Sequence, residues 1–396
     1  MAEKRRRART GRRSAPGRRR TNKKEYFFDY SLLFIVLFLI IFGLVMIYSS
    51  SSYKANLDYG NPAYFFWKQF SASIFGLVVM MAVSFIDYHI WQRFAFLAYI
   101  GSAVLIALVM TPLGFARNGA RRWLNLGVSL QPAEVAKLGV IIFLATMICQ
   151  MGKKARTWKG IGFLAGAAGM IAGMIMIITN NLSSAIIIIG IAAVMIFVSD
   201  YDYKKYVIAA LLGTACVAGM IFYVLQTADS DSGFRFKRIV AWLDPTAYSS
   251  DTAFQTLQAL YAIGSGGIFG KGLGQSMQKL GYLPEAQNDM IFSIICEELG
   301  LFGALAVILL FVLLIWRCMV IANNAPDLFG ALLTVGVMGH LAIQVILNIA
   351  VVTNSIPNTG ISLPFISYGG SSVTFLLAEI GIILNISRKI RLYDVG

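Results

Sequence analysis

A glutamate and a lysine, Glu134 and Lys137, stand three residues apart inside an apolar run long enough to cross a bilayer. On a helix that spacing puts both on one face. Ionisable side chains within a membrane span are costly, so they face a bundle interior or a water-filled cavity. Two readings fit the spacing: an ion pair that neutralises itself, or a polar wall that binds substrate or positions another charge. A second group of polar residues lies in one long interval, 226–289, with Arg238, Asp244, Asp251, Gln255, Lys271, Glu285 and Asp289. Asp244 precedes Pro245 and Asp251 precedes a helical pattern over 252–262, so each also fits a local turn or cap. Arg117, Arg121 and Arg122 crowd beside Trp123 in a shorter interval, 112–132. Glu297 and Glu298 are adjacent, so at most one of them is expected to face a shared site. The stretch 357–372 holds two prolines, three glycines and several hydroxyls, Ser367 and Ser371 among them. It predicts a broken helix or re-entrant turn, which membranes tolerate only where protein or a water-filled cavity covers the backbone.

Some chemistry is disfavoured. The run Gly264–Gly274 looks like a phosphate loop, but G-x-x-x-x-G-K-[ST] requires Gly where Ser265 stands and Ser or Thr where Gly272 stands, so no nucleotide is expected. His89 and His340 are far apart and read as unaccompanied structural residues, and Cys149, Cys216, Cys296 and Cys318 show no metal-ligand or disulfide spacing.

The elements that must hold these residues are membrane helices. The chain of 396 residues is 58% hydrophobic and 13% charged, with mean hydropathy +0.70, against about 25% charged residues in soluble domains. Apolar windows recur near 30–50, 69–86, 92–111, 133–150, 161–179, 181–198, 206–225, 290–316, 328–352 and 362–387. The fold class is therefore an all-α polytopic membrane protein of about ten transmembrane helices, with 226–289 as one large extracytoplasmic loop between helices 7 and 8. Residues 1–28 form a basic tail predicted to be disordered, 29–390 the transmembrane domain and 391–396 a short tail. Of the 34 Lys and Arg, twelve lie in the first 24 residues. The net charge of +15 thus reflects a topogenic arm near lipid headgroups more than a nucleic-acid surface. Lys153, Lys154, Arg156, Lys159, Arg317, Arg388 and Lys389 fall on the same side, which places both termini in the cytoplasm. Arg121, Arg122, Arg238 and Lys137 defy that rule, as residues kept for another purpose would.

Taken together, the segments resemble the SEDS family of membrane glycosyltransferases of bacterial cell-wall synthesis, typified by FtsW, RodA and SpoVE. The likeness runs from about Asp29 to the C-terminus. It rests on Tyr48–Ser52, read as following the first helix; Arg121–Asn125; Gln131–Lys137; Phe254-Gln255; Leu283–Phe292 with Glu297–Gly300; and Pro357–Ser372. The basic N-terminal extension is more similar to division-type members. The resemblance implies a multi-pass protein of the bacterial cell membrane that polymerises lipid II, the undecaprenyl-diphosphate disaccharide-pentapeptide, into β-1,4 glycan strands with inversion. It implies a class B penicillin-binding protein as partner, alongside other division or elongation membrane proteins, and no nucleic acid. Such a displacement needs a base for the acceptor hydroxyl and positive charge for the departing diphosphate. The family's proposed catalytic Asp stands three residues after the Pro of an N/D-P pair, a position held here by Tyr248. Asp251, three residues on, takes the role by a local shift, with Asp244 as the alternative. Arg121, Arg122, Glu134, Lys137, Arg238, Gln255, Lys271, Glu285, Asp289, Ser367 and Ser371 are the implied substrate-binding set, with a divalent cation (Mg or Mn) as a further source of charge. The family's Gln-Pro-Asp-Leu-Gly-Thr appears as Thr179–Ser184, with Asn181 in place of the acid. A lipid II flippase and a non-catalytic scaffold remain the alternatives. The external placement of the large loop and anomalous arginines favours the enzyme.

Overall fold

The computed structural model describes residues 28–200 and 253–390 apart from 118, 119, 126 and 128, with only scattered residues between 201 and 252. Among the described residues, eight helices are long and apolar enough to cross a membrane. In chain order these and their companions are α1 (Tyr30–Tyr59), α2 (Tyr64–Phe85), the short α3 (His89–Arg93) and α4 (Ala95–Leu108), α5 (Pro132–Met151), α6 (Trp158–Ile178), α7 (Leu182–Ser199), α8 (Phe254–Gly266), α9 (Ile291–Asn323), α10 (Leu328–Val352) and α11 (Gly370–Ser387). The protein is a helical multi-pass membrane protein. The expected span at 206–225 falls mostly outside the described residues.

Several boundaries differ from the sequence expectation for identifiable reasons. The serines read as following the first span lie within α1, which continues to Tyr59. Their hydroxyls are absorbed locally and by a distant partner: Ser51 donates to the Ile47 carbonyl (2.6 Å) and Ser49 to the Glu298 carboxylate (2.7 Å). The predicted hairpin at Thr179–Asn181 is present. Asn180 takes φ 49°, and Asn181 caps α7 by accepting from the Ser184 N–H at 3.1 Å. The interval 112–132 folds as a three-stranded antiparallel meander, β1 (Gly114–Arg117), β2 (Ala120–Asn125) and β3 (Ser129–Leu130).

The glycine run is a backbone clamp on α9. That helix breaks at Gly300 (φ 66°, ψ −164°), which frees carbonyls one turn earlier. Lys271 N–H donates to the Glu297 carbonyl and Gly272 N–H to the Glu298 carbonyl, each at 2.9 Å, while Leu301 N–H donates to Gly267 (3.0 Å). A Cβ on Gly300 would lie 2.3 Å from the Gly270 nitrogen. Both acids are then engaged by the same wrapping segment, contrary to the expectation of one. Lys271 pairs with Glu297 at 2.7 Å, and Lys279 with Glu298 at 2.9 Å. Gly300→Ala combines a dihedral reserved for glycine with a backbone collision. It is expected to cost roughly 2–4 kcal/mol, read as a fall in the thermal unfolding midpoint of the purified protein.

At the opposite end of the bundle, His89 bridges Asp87 (2.8 Å) and Asp327 (2.9 Å), and Lys389 pairs with Asp87 at 2.5 Å. The Lys389 ammonium holds the Asp87 carboxyl well below the usual carboxylate range. His340, on α10, lies 2.9 Å from Glu379 on α11. Both histidines thus have carboxylate partners on other elements, which the sequence reading did not foresee.

Candidate functional site

A cavity of about 1030 Å³ opens at the end of the bundle that carries the meander. Three helices begin there and contribute first-turn residues to its wall: Glu134 of α5, Ser183 and Ser184 of α7, and Ser371 and Ser372 of α11. Helix N-termini present unpaired backbone N–H groups and the positive end of the macrodipole, so this convergence favours an anion. Pro132 at the first position of α5 fits that start, because its missing N–H would have had no partner.

The charged side chains reinforce the polarity. Lys137 and Glu134 meet at 2.9 Å with side chains 2% and 6% exposed, and both line the cavity. Arg122, reaching from β2, donates to the carbonyls of Thr179 (3.1 Å) and Asn180 (2.8 Å), which closes the C-terminal end of α6 and holds the guanidinium at the cavity wall. Lys68, on α2, adds a third cation and donates to the Tyr64 hydroxyl (2.5 Å). Glu134 is the one carboxylate among the described lining residues.

The segment 357–369 is non-helical and enters the bundle interior, where Ile361, Leu363, Phe365 and Ile366 are at most 4% exposed. Protein covers this irregular backbone, as a membrane requires. Ser367 pins the turn: it donates to the Asn288 carbonyl (2.6 Å) and accepts from the Leu363 N–H (2.7 Å). Gln344 of α10 ties it laterally through the Ser362 carbonyl (3.0 Å) and itself lines the cavity. Ser371, just beyond, lines the cavity with its buried hydroxyl lacking a protein hydrogen-bond partner.

The structure brings Arg122, Glu134, Lys137 and Ser371 together on one cavity. Gln255 sits at its border. It accepts from Asn358 (3.0 Å) and donates to the Pro284 carbonyl (3.3 Å), joining α8 to the turn that contributes Gly360 to the wall. Asp289 lies beside Gly360, and its carbonyl accepts from Asn348 (2.8 Å). Five expected residues are placed otherwise. Arg121 donates to the carbonyls of Gly114 (3.0 Å) and Thr111 (2.5 Å), stapling the meander from its outer side. Lys271 is committed to Glu297. Glu285 faces Asn288 and Lys54, and the Ser367 hydroxyl is consumed by backbone. Asp244 is exposed and is not among the lining residues. Asp251 and Arg238 lie outside the described residues. Lys68, Gln344 and Ser372 were missed. A polar ladder at four-residue spacing on one apolar helix, His340, Gln344 and Asn348, was the available signal for Gln344.

Among the described residues no three His, Cys, Asp or Glu side chains converge as a metal site. Asp251 lies outside those residues, and no step is assigned to a divalent cation.

The FtsW/RodA/SpoVE family model, a cell cycle protein family, matches residues 30–392. Stage V sporulation protein E of Bacillus subtilis (strain 168) is 39% identical, over 92% of this chain and 98% of its own length. The probable peptidoglycan glycosyltransferase FtsW of Trichlorobacter lovleyi is 37% identical, over 92% and 94%. Among solved structures, a chain of a peptidoglycan synthase complex coordinating polymerization and crosslinking superposes with TM-score 0.75 at 26% identity, over 92% of this chain and 98% of that one. The rod shape determining protein RodA of Thermus thermophilus gives TM-score 0.64 at 26% identity over the same shares.

Proposed function

The chain belongs to the FtsW/RodA/SpoVE family, and from that premise we propose that it is a peptidoglycan glycosyltransferase that polymerises lipid II into β-1,4 glycan strands with inversion. It would act in division, shape or sporulation wall synthesis beside a class B penicillin-binding protein. One observation carries the reading: a membrane-embedded cavity whose wall joins three helix N-termini with Lys137, Arg122 and Lys68. That wall suits a diphosphate held at the membrane surface. Basic residues at the bundle's other end, Lys153, Lys154, Lys159, Arg317 and Lys389, support cytoplasmic termini and an external cavity.

In the reaction, a base removes the proton from the acceptor sugar hydroxyl as its oxygen attacks the anomeric carbon of the donor. The carbon–oxygen bond to the diphosphate breaks, and the diphosphate leaves with the electron pair. Lys137, Arg122 and the N–H groups at the starts of α7 and α11 neutralise that leaving group where its charge develops. Asp251 is assigned the base, with Asp244 as the alternative.

A flippase would need access from both ends, whereas the lining residues named above all belong to one end. The test is performed in detergent micelles, where there are no two leaflets to connect. Purified protein with its cognate partner, given lipid II, is expected to yield glycan chains. An intact complex that yields none would transfer the assignment to a flippase or a scaffold.

A further inference from the structure

The pair His340–Glu379 is used by none of the steps above, yet it joins α10 and α11, which contribute Gln344, Ser371 and Ser372 to the cavity wall. Both side chains are 1% exposed, and His340 Nδ1 lies 2.9 Å from a Glu379 oxygen. His340 Nε2 and the second Glu379 oxygen are buried with no hydrogen-bond partner in the protein. Helices α5, α10 and α11 pack against one another here, and His340 lies close enough for its charge to act on Glu134. The other described elements packed on α10 offer no competing charge. Helix α7 carries no ionisable side chain, α8 carries only Tyr261, and on α9 Glu297 and Glu298 are engaged by Lys271 and Lys279 and Arg317 by Asp29.

We propose that His340, oriented by Glu379, is a positioning residue for the cavity's anion site, acting through Glu134 on Lys137. This rests on the reading of the cavity as a diphosphate site and extends it. A carboxylate and an imidazole in contact inside an apolar bundle are tolerated when they hold one proton between them, because the pair is then neutral. Its positive end is the imidazole, whose charge acts on Glu134, so that charges alternate from Glu379 through His340 and Glu134 to Lys137. Glu134 is thereby shared by two cationic partners. Without His340 its only cationic partner is Lys137, and the lysine charge is committed to that pair. With His340 in place, the Lys137 ammonium keeps charge available for a phosphate oxygen in the cavity. His340 touches no substrate in this arrangement.

The test uses the full-length protein in lipid nanodiscs with two readouts: binding of undecaprenyl diphosphate, and steady-state polymerisation of lipid II with the partner. His340→Gln and Glu379→Gln are each expected to weaken diphosphate binding and raise KM about tenfold, with kcat within about twofold, the size of coupling seen between residues in one network. Glu379→Asp keeps the carboxylate and should restore near-normal KM. The double variant His340→Gln/Glu379→Gln, which preserves an amide hydrogen bond and carries the test if a single variant misfolds, should cost no more than either single change. Unchanged affinity in folded variants, a loss confined to kcat, or additive penalties would overturn the proposal, as would a wild type that does not bind the diphosphate. If the wild type binds the diphosphate but makes no polymer, and the variants bind it tenfold more weakly, the positioning role stands and the polymerase reading falls.

Discussion

Lys137→Met is expected to abolish glycan polymer formation, by at least about 10²–10³-fold, and to lower stability as well. The two effects have different causes and can be separated. Lys137 is 2% exposed in its side chain and 2.9 Å from Glu134. Removing it leaves a carboxylate buried with its principal cation gone, a change that typically costs about 3–5 kcal/mol. It also removes the deepest cation of the cavity, which would meet charge developing on a departing diphosphate. The double variant Glu134→Gln/Lys137→Met takes away both charges together. It should recover most of the thermal midpoint, because replacing a buried pair by neutral groups of similar volume is far cheaper than breaking it. It should recover none of the polymerisation. Thermal unfolding in detergent and a gel of glycan chains made from lipid II provide the two readouts. If the double variant polymerises normally, the pair is only a brace between α5 and its neighbours, and the cationic role passes to Arg122 and Lys68.

The contrast between what the chain announces and what it conceals has a physical basis. Long apolar windows are read directly because lipid imposes a length. The expected spans 133–150, 181–198 and 328–352 correspond to helices Pro132–Met151, Leu182–Ser199 and Leu328–Val352. The helix start at Gly370 was less legible, since the apolar character of 362–369 continues while its backbone leaves the helix. Glu134 and Lys137 could be paired from spacing because a helix fixes neighbours three apart. His340 and Glu379 could not, because 39 residues separate them and only the packing of α10 on α11 joins them. Ser49 looked like the end of a span, yet it answers Glu298, 249 positions away. The arginines beside Trp123 were legible as anomalies, but their division of labour was not. Alternation along β2 sends Arg122 to the cavity and Arg121 to the back of the meander, and no periodic signal had identified that segment as strand.

Asp251→Ala is expected to abolish polymer formation outright, while Asp244→Ala retains activity within about threefold. The general base of such a displacement must come within hydrogen-bond reach of the acceptor hydroxyl, directly or through one water. Two anchors flank these acids in the chain. Trp242 donates its indole N–H to the Asn354 carbonyl at 2.9 Å, and Asn354 returns a bond to the Trp242 carbonyl at 3.3 Å. Asp244 follows two residues later, exposed beyond the C-terminal end of α10, and is not among the lining residues of the cavity. Gln255 is held by Asn358, two residues before the cavity-lining Gly360. Asp251 precedes Gln255 by four residues, and a chain of four residues reaches at most about 14 Å. Asp244, by contrast, follows the Trp242 anchor at the C-terminal end of α10. Loss of general-base assistance alone costs about 10²–10⁴-fold, enough to remove visible polymer. Asp251→Glu, which keeps the carboxylate on a longer arm, should retain measurable activity where Asp251→Asn retains none. Binding of the partner and the thermal midpoint should be unchanged in all of these variants, because the expected loss is chemical. If Asp244→Ala alone silences a folded, partner-bound protein, the loop must bring that residue across to the cavity, and the base assignment moves to Asp244 with the rest of the site intact.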